Sequence, residues 1–96
     1  MRALNCYMEK NRMKIVSLNT DKLIEREMAH DYLEEMFGFP EYYGRNLDAL
    51  YDCLTELQET EIIIVQEKME SACLKSILHV INEAAEEKQN LKVTII

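Results

Sequence analysis

The sequence predicts an α/β domain in which three parallel strands form one sheet packed with helices, in the order β-α-α-β-α-β. Three short runs rich in β-branched residues predict the strands, at residues 14–18, 61–65 and 92–96. The gaps between the runs are long enough for the crossover connections that parallel neighbours need. The chain is 48% hydrophobic but has only two glycines and one proline, a composition that disfavours an all-β fold.

The central run is nearly continuous in apolar residues. Residues 61–65 contain three isoleucines and a valine after a single glutamate. Such a composition is typical of a parallel strand that is covered on both faces, whereas a strand with one wet face alternates polar and apolar residues. We therefore expect the middle strand to be buried on both sides.

The first helix is predicted from about Glu25 to Phe37. Gly38 can end it in a left-handed conformation, and Pro40 cannot continue it. His30 falls outside the apolar spacing, so we expect it on the polar side, as a structural or solvated histidine rather than a metal ligand. The residues expected on the buried face are Met28, Tyr32, Leu33 and Met36.

The last helix is predicted from about Ser71 to Lys88. Its apolar residues recur at helical spacing and should pack against the sheet. Glu83 and Glu87 lie four residues apart on another face, where two like charges are mildly unfavourable. The residues expected to be buried are Leu74, Ile77, Leu78, Ile81 and either Ala84 or Ala85.

The middle helix and the turn before it are the most informative part of the chain. Asn46 is a good N-cap, and the helix should run from there to about Leu57. No lysine or arginine occurs between Asn46 and Ile62. Leucines at helical spacing form a stripe that should be buried, namely Leu47, Leu50, Leu54 and Leu57. A second stripe sets acids around an aromatic ring, namely Asp48, Tyr51, Asp52, Thr55 and Glu56.

The turn before this helix is aromatic and restrained. Pro40 favours an extended Phe39, and Gly44 permits a positive φ. Tyr42 and Tyr43 are adjacent and cannot both point into a small core, so at least one should stand at the surface beside the acidic stripe. Without such a turn, acids near a helix N-terminus are commonly a solvated face that stabilises the helix dipole.

The segment from Pro40 to Thr55 resembles the signature of the barstar-like inhibitors of guanyl-specific ribonucleases. It reads PEYYGRNLDALYDCLT and departs from that signature at few positions. A weaker resemblance covers most of residues 13–96, including the family's last helix at residues 76–84 and its final strand at residues 93–96. The resemblance implies a barstar-like fold. It also implies an inhibitor that lays an acidic helix and the preceding loop into the cationic active site of a small secreted ribonuclease.

The resemblance further implies which residues contact the partner. Asp52 would take the place of a substrate phosphate, and Glu83 would add an acidic contact from the last helix, while Glu87 adds acidity without a clear contact. The implied partner-binding residues are Tyr42, Tyr43, Gly44, Asn46, Asp48, Ala49, Tyr51, Asp52 and Glu83. No catalytic residue, metal or other cofactor is implied.

Three departures from the family pattern leave the identity of the partner open. Tyr51 and Leu57 stand where the family's prototype carries tryptophan, and Arg45 stands where it is acidic, a charge that a basic enzyme should disfavour. A barstar-like immunity or binding module for another basic protein is therefore the alternative function. An enzyme that acts through a pair of the acids is a third hypothesis, disfavoured because no glycine-rich loop or histidine cluster accompanies them.

The charge distribution points to the same class of partner. The net charge is −7. Residues 1–14 carry +3, because four basic side chains accompany one glutamate, so residues 15–96 carry −10. Binding to nucleic acid phosphates needs clustered basic residues, which this acidic body lacks, although like charge also keeps small proteins soluble. We therefore expect no nucleic acid partner but a basic, extracellular-type ribonuclease, bound by a chain that is a monomer when free.

The remaining features indicate a cytoplasmic protein of one domain. No run of about 18 apolar residues occurs, and neither does a secretory signal, so no membrane contact is expected. Cys6, Cys53 and Cys73 cannot all pair and lack the close spacing of zinc ligands, so we interpret them as reduced thiols. Cys53 should be a packed residue rather than a nucleophile. Residues 1–12 are expected to be a flexible extension, and residues 13–96 to form the barstar-like domain.

Overall fold

The computed structural model describes residues 14–96. Its three strands form one parallel sheet, in the order β1 (Lys14–Asn19), β2 (Thr60–Val65) and β3 (Leu91–Ile95). β2 lies in the middle, so that Ile62 is opposite Val16 on one side and Val93 on the other. The predicted α/β class, the parallel pairing and the order β-α-α-β-α-β are confirmed, and every strand boundary lies within one residue of its prediction.

Helices connect the strands. They are a short 3-10 helix (Thr20–Lys22) and the α-helices α1 (Arg26–Phe37), α2 (Leu47–Thr55) and α3 (Ala72–Glu87). α2 is shorter than predicted. The N–H of Leu57 donates to the carbonyl of Leu54 three residues back, at 3.2 Å, so the helix tightens and ends before the chain enters β2.

The end of α1 and the start of α3 lie where the sequence predicted them. Gly38 has φ 70° and ends α1 in the left-handed conformation that a residue without Cβ adopts at little cost. Ser71 is the N-cap of α3, where its hydroxyl oxygen accepts a hydrogen bond from the N–H of Leu74 at 3.0 Å. The same hydroxyl donates to the carbonyl of Ile24 at 2.9 Å, which ties α3 to the segment before α1.

One hydrophobic core lies between the sheet and the helices. The leucine stripe of α2 is confirmed at its centre, because Leu50 and Leu54 are fully buried. On α3, the predicted face is confirmed except that Val80 is buried where Leu78 is only half-buried. The largest fully buried apolar side chains are Leu18, Leu23, Leu33, Leu50, Leu54, Ile62, Ile64, Ile77 and Ile81.

The buried face of α1 differs from the prediction by about one residue step. Met28 is 51% exposed, and Ala29 and His30 are buried in its place beside the predicted Leu33. The expectation that His30 lies on the polar side was therefore wrong. Its ring is 3% exposed, because a hydrogen bond to the loop after α1 satisfies its polar edge inside the core.

The prediction that β2 is buried on both faces was also wrong. Thr60, Ile62 and Ile64 are buried, whereas the alternate residues of β2 are only half-buried. Within residues 14–96 the helices cover mainly one face of the sheet, and Ile15 on the other face is 61% exposed. The apolar run of β2 therefore serves one covered face and one partly open face.

The predicted extension at residues 1–12, and Cys6 within it, lie outside the described residues. Among residues 14–96, no helix has the length and apolarity needed to cross a membrane. Cys53 and Cys73 are free and half-buried. Burial raises the pKa of both thiols, and the nearby carboxylates of Glu56 and Asp52 raise the pKa of Cys53 further. A thiol in that environment resists ionisation, in keeping with a packed residue.

Candidate functional site: an acidic groove and the loop beside it

The loop between α1 and α2, residues 38–46, is anchored from below by aromatic rings. We call this segment the binding loop. The rings of Phe37 and Phe39 stack with their centroids 5.3 Å apart, and Phe39 meets the tilted ring of Tyr43 at 4.9 Å. Pro40 between them closes a turn, since its carbonyl accepts from the N–H of Tyr43 at 3.0 Å. The underside of the binding loop is therefore part of the core.

The two adjacent tyrosines point in different directions, as their sequence required. Tyr42 is 83% exposed, and Tyr43 is 5% exposed. The Tyr43 hydroxyl forms a 2.6 Å hydrogen bond with Nδ1 of the buried His30. Burial raises the pKa of the Tyr43 hydroxyl. Burial also lowers the pKa of His30, and the positive charges of Arg45 and Arg26 lower it further. Both side chains are therefore held neutral. The Tyr43 side chain supports the loop, and Tyr43 stays a predicted contact only through its backbone.

The left-handed residue of the binding loop is Arg45 rather than Gly44. Arg45 has φ 57°, whereas Gly44 has no positive φ. Glycine is favoured at position 44 for a different reason, because a Cβ there would lie 3.2 Å from the Cβ of Ala49 and 3.3 Å from Nδ2 of Asn46. The loop thus closes tightly onto the first turn of α2, and any side chain at position 44 would push the two apart.

Asn46 begins α2 as predicted. Its Oδ1 accepts from the N–H of Ala49 at 2.7 Å, and its Nδ2 donates to the carbonyl of Gly44 at 3.3 Å. The first bond satisfies a helix N–H that would otherwise lack a partner, and the second holds the preceding turn. One side chain therefore sets the start of the helix relative to the binding loop.

The acidic residues of α2 and α3 line one groove. Asp48 and Asp52 lie on one face of α2 at a spacing of four residues, and both are exposed. α3 packs beside α2 and brings Glu83, 54% exposed, to the opposite side. We call this feature the acidic groove; its volume is about 440 Å³, and its lining is Leu47, Asp48, Tyr51, Asp52, Val80 and Glu83.

Apolar side chains form the floor of the acidic groove. The sequence pattern predicted one of them to be buried and did not identify another. Leu47 was expected in the buried stripe but is 38% exposed. Val80 was not among the predicted residues, and it is buried at the base of the groove from the α3 side. Tyr51 is half-buried and packs against the core. The groove is therefore an apolar floor between acidic walls.

His79 is a further residue of this region that the sequence reasoning missed. Its Nε2 lies 3.3 Å from Oε2 of Glu83, one helical turn along α3. The spacing of four residues is the signal that could have shown the pair. The two side chains are 72% and 54% exposed, so they form a solvent-exposed pair beside the groove.

The structure thus brings Asp48, Tyr51, Asp52 and Glu83 together and sets Tyr42 on the adjoining loop. Carboxylates grouped around an apolar floor can accept hydrogen bonds from guanidinium and ammonium groups while a hydrophobic surface is covered. Within residues 14–96, no three histidine, cysteine or acidic side chains converge in a way that could hold a metal ion. The groove therefore offers carboxylate acceptors beside an apolar surface.

Comparison with known proteins identifies the family of this chain. Residues 13–96 match the barstar (barnase inhibitor) family. The chain is also 41% identical over 76 residues to a Bacillus subtilis (strain 168) protein named "Putative ribonuclease inhibitor YrdF", an alignment that covers 72% of this chain and 84% of that protein. With the sheet order, the Asn46-capped helix and the acidic groove already described, this chain belongs to the barstar family of ribonuclease inhibitors.

Proposed function

We propose that this protein is a stoichiometric inhibitor of a barnase-like, guanyl-specific ribonuclease, whose cationic active site it occludes with α2 and the binding loop. The acidic groove carries the proposal, since carboxylates from α2 and α3 line it and no lysine or arginine occurs between Asn46 and Ile62. A ribonuclease needs cationic groups to bind the phosphates of RNA. The same groups would bind carboxylates held at a suitable spacing.

Occlusion follows from the rigidity of the acidic face. Asp52 would occupy the position of a substrate phosphate, with Asp48 and Glu83 engaging neighbouring cationic groups. These carboxylates stand on two packed helices and offer no phosphodiester to cleave, so the bound enzyme would have nothing to turn over. Little ordering would be required on binding, which favours affinity.

Two aromatic side chains complete the proposed surface. Tyr42 is exposed on the binding loop, and Tyr51 is half-buried on the floor of the acidic groove. Tyrosine combines a large apolar area with few rotatable bonds, and it is enriched among the residues that dominate binding energy. Gly44, Asn46 and Ala49 would contribute through the close fit between the loop and the first turn of α2.

A cytoplasmic immunity role fits these features. Cys53 and Cys73 are unpaired, as is usual in a reducing compartment. A cell that secretes a ribonuclease would be protected by a monomeric inhibitor that acts before export. The tyrosine at position 51, where the family's prototype carries tryptophan, favours a second candidate, a barstar-like module for another basic protein. Recovery of a basic partner without ribonuclease activity would support it.

Titration of a barnase-like ribonuclease tests the proposal directly. RNA cleavage should fall linearly with added protein and stop at a one-to-one ratio. Asp52→Ala should weaken binding by about 2–5 kcal/mol, or roughly 30-fold to 5,000-fold, because it leaves a buried cation of the enzyme unpaired. Glu35→Ala is the matched control, since it removes one negative charge from an exposed position on α1.

Two results would contradict the proposal. One is full ribonuclease activity in the presence of excess protein. The other is inhibition that Asp52→Ala and Glu35→Ala leave equally intact, which would remove the acidic groove from the mechanism. Circular dichroism of each variant would show that the fold is retained.

A further inference from the structure

Arg45 is bound to α1 by three contacts. Its Nη2 lies 2.5 Å from Oδ1 of Asp31, and its Nη1 donates to Oε1 of Glu34 at 3.1 Å. Nη2 also donates to the backbone carbonyl of Glu27 at 3.3 Å. The three α1 residues are spaced by four and three positions, so they form one stripe along the helix. The guanidinium therefore spans two turns of α1, and we call this arrangement the Arg45 clamp.

The clamp acts at a strained point of the chain. Among residues 14–96, Arg45 is the one non-glycine residue with a positive φ. A long side chain seldom adopts that conformation unless its surroundings impose it. The next residue, Asn46, is the N-cap of α2. The clamp therefore holds the last residue of the binding loop and, through it, the position at which α2 begins.

The binding loop is thus fastened at both of its ends. Phe39 and Tyr43 anchor the first part in the core, and the Arg45 clamp anchors the last part on the surface of α1. Tyr42, 83% exposed, lies between the two anchors. Its own side chain is too exposed for the core to hold it, so its position depends on the backbone on either side.

We propose that Arg45 is a positioning residue of the partner-binding surface, which holds the binding loop in the conformation that presents Tyr42 and directs its own charge toward Asp31 and Glu34. This inference rests on the proposed function. It also removes the conflict between Arg45 and a basic partner, since two carboxylates on α1 surround the guanidinium. The acidic groove keeps its negative charge.

The test compares both halves of the clamp. Arg45→Ala, Asp31→Ala and the double variant are bound to a barnase-like ribonuclease, and their dissociation rates are measured by stopped flow with a competitor. Dissociation is chosen because the two substitutions change the net charge in opposite directions and so shift association oppositely. Each single variant should dissociate about threefold to tenfold faster. The double variant should be no faster than the faster single variant.

Hydrogen exchange measured without a partner separates this inference from the proposed function. The hydrogen-bonded amides of residues 38–46, those of Phe39 and Tyr43 among them, should exchange faster in both single variants of the free protein, because the loop opens more often. Glu70→Ala is the control. It removes a carboxylate that lies 3.9 Å from the ammonium group of Lys75, in an exposed ion pair outside the binding loop and α1. It should leave exchange in this segment and the dissociation rate unchanged.

Several outcomes would overturn the inference. Arg45→Ala could alter dissociation while Asp31→Ala does not, which would mean that Arg45 contacts the partner directly. Arg45→Ala could slow dissociation, which would mean that its charge repels the partner. Unchanged exchange in residues 38–46 would show that the Arg45 contacts do not order the binding loop. If the wild-type protein inhibits no ribonuclease, the proposed function fails, and the exchange result still decides whether the clamp orders the loop.

Discussion

At the scale of single residues, the pair of His30 and Tyr43 shows how a polar contact can lie inside a small core. The hydrogen bond between them is 2.6 Å long, and their ring centroids are 5.7 Å apart. An unpaired imidazole or hydroxyl in that position would carry a desolvation penalty that the bond removes. The same pair connects α1 to the underside of the binding loop, so a buried residue of α1 supports the position of that loop.

The lowered pKa of His30 predicts a loss of stability in weak acid. Above its ordinary pKa of about 6.5 the ring is neutral whether the chain is folded or unfolded, so His30 adds no pH dependence. Below that value the unfolded chain takes up a proton that the folded chain resists, because burial lowers the folded pKa. Stability should therefore fall between about pH 6.5 and 5, by at most about 1.4 kcal/mol per pH unit.

Urea unfolding at several pH values would measure this slope. His30→Gln keeps a hydrogen-bonding group near Tyr43 but cannot titrate, so its stability should depend less on pH in the same range. An equal slope in the variant and the wild type would show that other groups cause the pH dependence. Changes below about pH 5 would not isolate His30, because carboxylates titrate there as well.

At the scale of secondary-structure elements, two N-caps determine where the site-bearing helices begin. Asn46 and Ser71 each accept a hydrogen bond from a backbone N–H in the first turn, at 2.7 and 3.0 Å. The two caps differ in the sequence separation of the second hydrogen bond that each side chain makes. Asn46 also holds the turn immediately before its own helix, whereas Ser71 donates to Ile24, which is distant in sequence. Ser71 therefore contributes to tertiary packing as well as to α3.

Ser71→Ala should destabilise the protein by about 1–2 kcal/mol, since it removes the cap and leaves the Ile24 carbonyl without its partner. Ser76→Ala is a matched control, because it is the same substitution in the interior of α3, where alanine is a good helix former. The free energy of unfolding in urea measures both. Equal stabilities for the two variants would mean that the Ser71 contacts contribute nothing to folding.

At the scale of the whole molecule, the body of the protein is acidic and the acidic groove opens to solvent. Residues 15–96 carry −10, and Arg45 is held against two acids of α1. A field of one sign steers an oppositely charged partner during diffusion, and salt screens it over about 10 Å at 0.1 M. The negative charges of the body and of the groove should therefore both increase the rate of association with a basic partner.

Association with a basic ribonuclease should accordingly be fast at low salt, on the order of 10⁸ M⁻¹s⁻¹, and should slow as sodium chloride is added. The dissociation rate should change much less. Stopped-flow mixing over a range of salt concentrations measures both rates. Asp48→Asn, which is nearly isosteric, should reduce the salt dependence of association, and a rate independent of salt would argue against electrostatic steering.

Much of this architecture was readable from local patterns. The β-branched runs predicted all three strands to within one residue, and the spacing of leucines predicted which side of α2 is buried at Leu50 and Leu54. Asn46, Gly38 and Ser71 marked helix ends through contacts that span only a few residues. The helical period placed Asp48, Tyr51 and Asp52 on one stripe of α2, and the resemblance to barstar-like inhibitors added Glu83 from the last helix; all four line the acidic groove.

Other features depended on residues distant in sequence, and local patterns misassigned them. His30 is buried because Tyr43 arrives to bond it, and Leu47 stays partly exposed because α3 leaves a groove beside it. The pairing of Arg45 with α1 joins positions eleven to eighteen residues apart.

The sequence by itself determined the class of fold, the helix ends other than the C-terminal end of α2, and the acidic character of α2. Only the tertiary structure decided which face of α1 is buried, how Glu83 meets α2, and which carboxylates pair with Arg45. The physical reason is range. Periodicity and capping act within one or two helical turns, whereas burial and ion pairing depend on which elements the completed fold brings together.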